Sequence, residues 1–147
     1  MPISSNDFII ESQVQDGDMK LQGNDGGTPV VALSFDMSAA GNATFNGDVN
    51  APNFNTTSDV SLKTNISTFE NSLDVVSSLR GVSFDWIDNG KSEIGVIAQE
   101  VEKVLPELVS TNKEGIKSVK YGNLVAVLIE AVKDQQSQIN ELKSKLS

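Results

Sequence analysis

From Val125 onward, apolar residues recur at Val125, Leu128, Val132, Ile139, Leu142 and Leu146, with Gln135 in the remaining place, so that the spacing runs 3, 4, 3, 4, 3, 4. A repeat of this period lays one narrow stripe along an α-helix, the seam of a coiled coil. As far as Val132 the segment is apolar nearly all round, and packing on its own domain would account for it. Beyond that point, in "KDQQSQINELKSKLS", every residue off the stripe is polar. A lone helix of that kind has nothing to bury its stripe against. A self-associating coiled coil over about 121–147 is therefore predicted, with Gln135 as a polar seam position that helps to fix register. The repeat alone does not choose between a dimer and a trimer.

Residues 1–57 raise the same need for partners in another form. "DFIIES" and "DMKLQG" are short β-prone pieces, and "NDGG" and "AAGN" are turn signals. In "VVALSF", Val31, Leu33 and Phe35 alternate onto one face, and "ATFNGDV" follows a glycine. Strands this short and thinly apolar are marginal alone, and their open edges invite other chains. Three copies wound about a common axis would meet both difficulties, and a β-rich stalk segment is predicted. The whole-chain composition agrees. Only 38% of residues are apolar and 5% aromatic, which suits a chain that is partly extended or buried against copies of itself.

Charge and residue inventory exclude several function classes. The net charge is −9, and residues 1–57 contribute seven acids against one lysine. Nucleic acid and anionic membrane both call for basic patches, so neither is expected as a partner. With no cysteine and no histidine, disulfides, thiol catalysis, Ser-His-Asp triads and zinc sites built on those ligands are ruled out. No cofactor and no metal is expected, and the acids lack the spacing of a calcium loop. "MPISSNDF" has neither the basic nor the apolar region of a signal peptide. The longest apolar run, Leu124 to Ile129, is too short to span a bilayer. The chain reads as soluble and made in a cytoplasm.

Between these ends the pattern turns helical from about Asp59. In "SLKTNISTFENSLDVVSSLRG", the spacing of Leu62, Ile66, Phe69, Leu73, Val76 and Leu79 predicts one helix or two short ones, ended by Gly81. "VSFDWID" reads as a strand closed by an Asn89-Gly90 turn. "EIGVIAQEVEKVLPELV" begins apolar and becomes a short helix from about Ala98, stopped near Pro106. "NKEGIKSVKY" reads as a turn and strand that complete a small hairpin. The acidic pairs Asp16/Asp18 and Glu100/Glu102 are expected on the solvated surface.

The stretch "NTTSDVSLKTNIS" combines hydroxyls, an acid and a lysine ahead of that pattern. On local chemistry, Thr57, Ser58 or Asp59 is a helix N-cap and Lys63 a solvated lysine. Residues five apart on an α-helix project about 140° from one another. Ser58 and Lys63 can therefore meet only if Ser58 lies outside the helix, as a cap residue does. Both readings stay open at this point.

Four segments in order, "TTSDVSLKTNI", "FDW", "IGVIAQEVEKVLPELV" and "GIKSVKYGNLVAVLIEAVKDQQSQINEL", resemble the self-cleaving intramolecular chaperone domain found at the C-terminus of bacteriophage endosialidases, tail spikes and tail fibres. Upstream, "ALSFDMSAAGNATFNGDVNAPNF" looks like the β-stalk that such fibres carry before the chaperone. The resemblance implies an α+β homotrimer with the stalk over 1–57 and a mainly α-helical chaperone domain over 58–147, including a small β-hairpin and a C-terminal trimeric coiled coil. It implies a serine-lysine dyad with Ser58 as nucleophile and Lys63 as general base, cutting once after assembly. The scissile bond would be Thr57–Ser58, with Ser58–Asp59 as the other choice. A serine hydroxyl is a weak nucleophile until a base takes its proton, and a lysine does this only when neutral, which takes desolvation. Burial on assembly would thus switch cleavage on. The implied function is to drive trimerisation and folding of a phage tail fibre or spike and then to leave by autoproteolysis. The partners would be two further copies and other tail proteins of the virion, assembled in the host cytoplasm. The alternative from a different class is an uncleaved trimeric structural or adhesion tip.

Overall fold

A computed structural model describes residues 8–146, so the reading of the first seven residues lies outside it. The chain forms two compact units, Met1–Asp59 and Val60–Ser147.

In the first unit, β1 (Met19–Asp25), β2 (Thr28–Asp36) and β3 (Asn42–Phe45) form an antiparallel sheet in that order. The β1–β2 connection turns on Gly26 and Gly27, both at positive φ, where a side chain would be strained. The Asn24 side chain accepts the Gly27 N–H at 2.7 Å and closes the turn. After β2, the Asp36 carboxylate caps a 3₁₀ turn over Met37–Ala39, and Ala40 and Gly41 reverse the chain in left-handed conformation. Leu33 faces Leu21 on one side and Phe45 on the other, which makes an apolar row across all three strands. Leu21 and Phe45 nevertheless remain about half exposed, and no described residue of this unit is buried. The expected strand in "DFIIES" does not form. From Phe8 to Ser12 the chain has no regular structure, as suits a single short piece that would be marginal as a strand on its own.

The second unit has a small core. It begins with a 3₁₀ turn, Val60–Leu62, and then runs without regular structure to α1 (Ser72–Ser78). Two antiparallel ribbons follow where one hairpin was expected. β4 (Gly81–Asp85) pairs with β5 (Ser92–Val96), and β6 (Val109–Thr111) pairs with β7 (Lys117–Val119). Between them lie α2 (Ala98–Val104) and a 3₁₀ turn opened by Pro106. A last 3₁₀ turn, Tyr121–Asn123, leads into α3 (Leu124–Lys145). Val101, Leu105 and Leu108 meet Val127 of α3 in the buried centre, ringed by Phe69, Val75, Val76, Leu79, Val96 and others.

The helix expected over Leu62–Leu79 is confined to Ser72–Ser78. Asn65 and Asn71 both take positive φ, which an α-helix does not admit. The Ser67 and Thr68 side chains between them also favour local bonds to backbone over a continuous helix. Phe69, Val76 and Leu79 still reach the core, whereas Leu62 and Ile66 stay exposed. Gly81 does not cap this helix. α1 ends on Leu79 in extended conformation, and Gly81 opens β4 instead.

Candidate functional site

Thr57, Ser58 and Asp59 end the first unit in an exposed segment without regular structure. Lys63 stands in the second unit, where its backbone N–H donates to the Val60 carbonyl at 3.1 Å and closes the 3₁₀ turn. Ser58 thus precedes the first helical residue, Val60, and Lys63 follows the last, Leu62. Both side chains are exposed in the single chain.

The seam residues fall on α3 and separate sharply from its packed face. Leu124, Val127 and Ala131 meet the rest of the second unit, and the Asp134 carboxylate accepts from the buried Ser72 hydroxyl at 2.7 Å. Val125, Leu128, Val132, Ile139 and Leu142 stand on the other stripe and are 44–62% exposed, with Gln135 exposed among them. Leu146 lies just past the end of the helix and is 88% exposed. The helix is therefore two-sided up to Asp134. Beyond it, only the seam is apolar.

Surrounding charges hold the scaffold. The Arg80 guanidinium donates to both oxygens of Glu100, at 3.2 and 2.5 Å, and tethers β4's approach to α2. This pairing raises the guanidinium's pKa and holds the Glu100 carboxyl below the usual carboxylate range. Lys91 and then Trp86 lower Glu93 in the same way, by hydrogen bonds to its carboxylate. Lys117 joins β7 to Glu102 of α2 at 2.7 Å. Glu100 and Glu102, expected as plain surface, are thus partly exposed ion-pair partners. No group of acids among the described residues is arranged to hold a metal ion.

Residues 58–110 match the family described as chaperone of endosialidase. The match begins at Ser58 and takes in the "FDW" and "IGVIAQEVEKVLPELV" segments, while the "GIKSVKY" segment and α3 lie beyond it. The recognised resemblance is met by this finding. The long tail fiber protein Gp37 of Enterobacteria phage K3 is 38% identical over 108 residues, which cover 67% of this chain and 9% of that protein. Its counterpart in Salmonella phage S16 is 36% identical over 112 residues, covering 68% and 15%. That of Enterobacteria phage M1 is 33% identical over 99 residues, covering 60% and 39%. The chain therefore spans only a small part of the length of the fibre proteins it matches.

Sequence reasoning missed Ser72, Asp134 and Arg80, whose side chains fasten elements of the second unit to one another. Ser72 and Asp134 lie 62 residues apart, and no local pattern joins them. The 3, 4 spacing could have flagged Asp134, because it lies on the packed stripe three residues after Ala131.

Proposed function

We propose that this chain is the chaperone end of a phage tail fibre, which trimerises through α3 and then releases itself by a single cut at Ser58. The observation that carries the reading is the exposed seam from Val125 to Leu142, on a chain whose residues 58–110 match the chaperone family. Burying that stripe against two copies would remove five large apolar side chains per chain from water. A fully buried side chain of this kind is worth roughly 1.5–3 kcal/mol. That the relatives are long tail fiber proteins supports the fibre reading and a place on the virion.

For the cut, Ser58 is the nucleophile and Lys63 the base. Neutral Lys63 takes the hydroxyl proton as Oγ attacks the Thr57 carbonyl carbon. The tetrahedral adduct then collapses, the C–N bond breaks, and the Ser58 amine leaves with a proton. Water hydrolyses the resulting ester, leaving a carboxylate on Thr57 and a free amine on Ser58. In the single chain Lys63 is exposed. Packing against neighbouring copies supplies the desolvation that a neutral lysine needs. After release the fibre cannot readily refold, so its persistence becomes kinetic.

The test is the intact mass of fresh wild type beside Ser58→Ala and Lys63→Arg, with sedimentation of each. Wild type is expected as trimeric material split into residues 1–57 and 58–147, with both variants whole, because arginine stays charged. Trimeric wild type that stays whole would make this an uncleaved structural tip. A stable monomer would end the assembly reading, and cleavage by Lys63→Arg would remove Lys63 as the base.

A further inference from the structure

The end of the β4–β5 ribbon is fastened to the root of α3 by one side chain. Trp86 N–H bonds to the Lys91 carbonyl at 3.0 Å, and Gly81 pairs with Val96 at the far end. In an antiparallel ladder, hydrogen-bonded and non-bonded pairs alternate. Counting from Trp86/Lys91, the Gly81–Val96 pair is non-bonded, so the Val96 N–H points away from β4 and needs another acceptor. It finds the Tyr121 hydroxyl oxygen at 3.0 Å.

The approach leaves no room for a side chain at the neighbouring position. A Cβ on residue 95 would stand 2.6 Å from the Tyr121 hydroxyl, but 3.4 Å from Phe84 Cε1 and 3.7 Å from Tyr121 Cζ. Only the first distance is prohibitive; the other two are ordinary contacts. Gly95 is not at positive φ, so space and not backbone conformation calls for glycine. Val96 packs on the core, and α2 begins two residues later at Ala98. Tyr121 opens the turn that runs directly into α3, four residues before the first seam position.

We propose that Tyr121 and Gly95 form a latch that locks the β5–α2 junction to the start of α3, so that the ribbon is placed by the helix and does not move independently of it. The latch itself belongs to the single chain. Its use, to give the ribbon one orientation when α3 assembles, rests on the assembly reading above.

The experiment is a double-mutant cycle in a Ser58→Ala background, which keeps the chain whole. Gly95→Ala, Tyr121→Phe and the pair are compared by denaturation midpoint and by amide exchange at Val96. Tyr121→Phe is expected to speed Val96 exchange roughly tenfold, the worth of one hydrogen bond. Gly95→Ala is expected to lower the midpoint clearly beside tyrosine and by less than half as much beside phenylalanine, where the clashing oxygen is gone. If Gly95→Ala alone fails to fold, folding of the pair supports the latch, and failure of both overturns it. An equal drop in the two backgrounds, or unchanged Val96 exchange in Tyr121→Phe, also overturns it. Sedimentation of the parent is read separately: a monomer would end the assembly reading while the cycle still decides the latch.

Discussion

Ser72 has no exposed surface, and its hydroxyl donates to Asp134 across 62 residues of sequence. The bond pins the start of α1 to the middle of α3 where the apolar face of α3 runs out. Ser72→Ala is expected to cost about 1–3 kcal/mol, since it takes this buried donor away from the Asp134 side chain, read from urea midpoints at neutral pH. The Arg80–Glu100 pair is more exposed and its effect is smaller. Because Glu100 is held below its ordinary pKa, its contribution is present above the unfolded carboxylate value and is lost as pH falls through the native one. The small stability gap between wild type and Arg80→Gln is therefore expected to close below about pH 4.3, which acid titration of the two proteins would check. None of these pairings was legible in the sequence. Residue patterns report neighbours within a turn or two, whereas Ser72–Asp134 and Tyr121–Val96 join places that only the tertiary fold brings together. Ser58 and Lys63 could be put forward from the sequence for the opposite reason, because they lie five residues apart within one short segment.

Among the elements, α2 and α3 could be read ahead, since each carries its own period and its own stop, whereas the strand pieces were read as one hairpin and form two separate ribbons. α1 could not be read at its right length. Phe69, Val76 and Leu79 meet the core partly from non-helical chain, so a helical spacing of apolar residues was matched by a bent path through Asn65 and Asn71. α3 carries the clearest element-scale prediction. Its residues beyond Asp134 have an apolar stripe that touches nothing in the chain's own core. A helix segment with one narrow stripe owes its stability to what covers that stripe. Ending the chain after Val132 is expected to abolish assembly in sedimentation. Leu142→Asp is expected to weaken it and to lower helix content in circular dichroism. Unchanged assembly in the truncated chain would remove the seam's role.

At the scale of the whole molecule, a unit with no buried described residue precedes one whose centre, among the described residues, is a cluster of four buried apolar residues. Leu105 is 2% exposed in that centre, and Leu105→Ala is expected to cost 2–5 kcal/mol, on the order of that for other buried leucines. So small a core leaves little reserve, and the variant is expected to show a loss of cooperative melting in calorimetry. If copies complete the burial, the wild-type melting temperature will rise with protein concentration. The core also has an order in time. Val101, Leu105 and Leu108 leave the ribosome before Val127, their partner from α3. While the chain is still being translated, the centre stands open on one side. A message broken before Leu124 therefore yields a product that can neither close this core nor carry the exposed stripe of α3, so an incomplete chain lacks both at once.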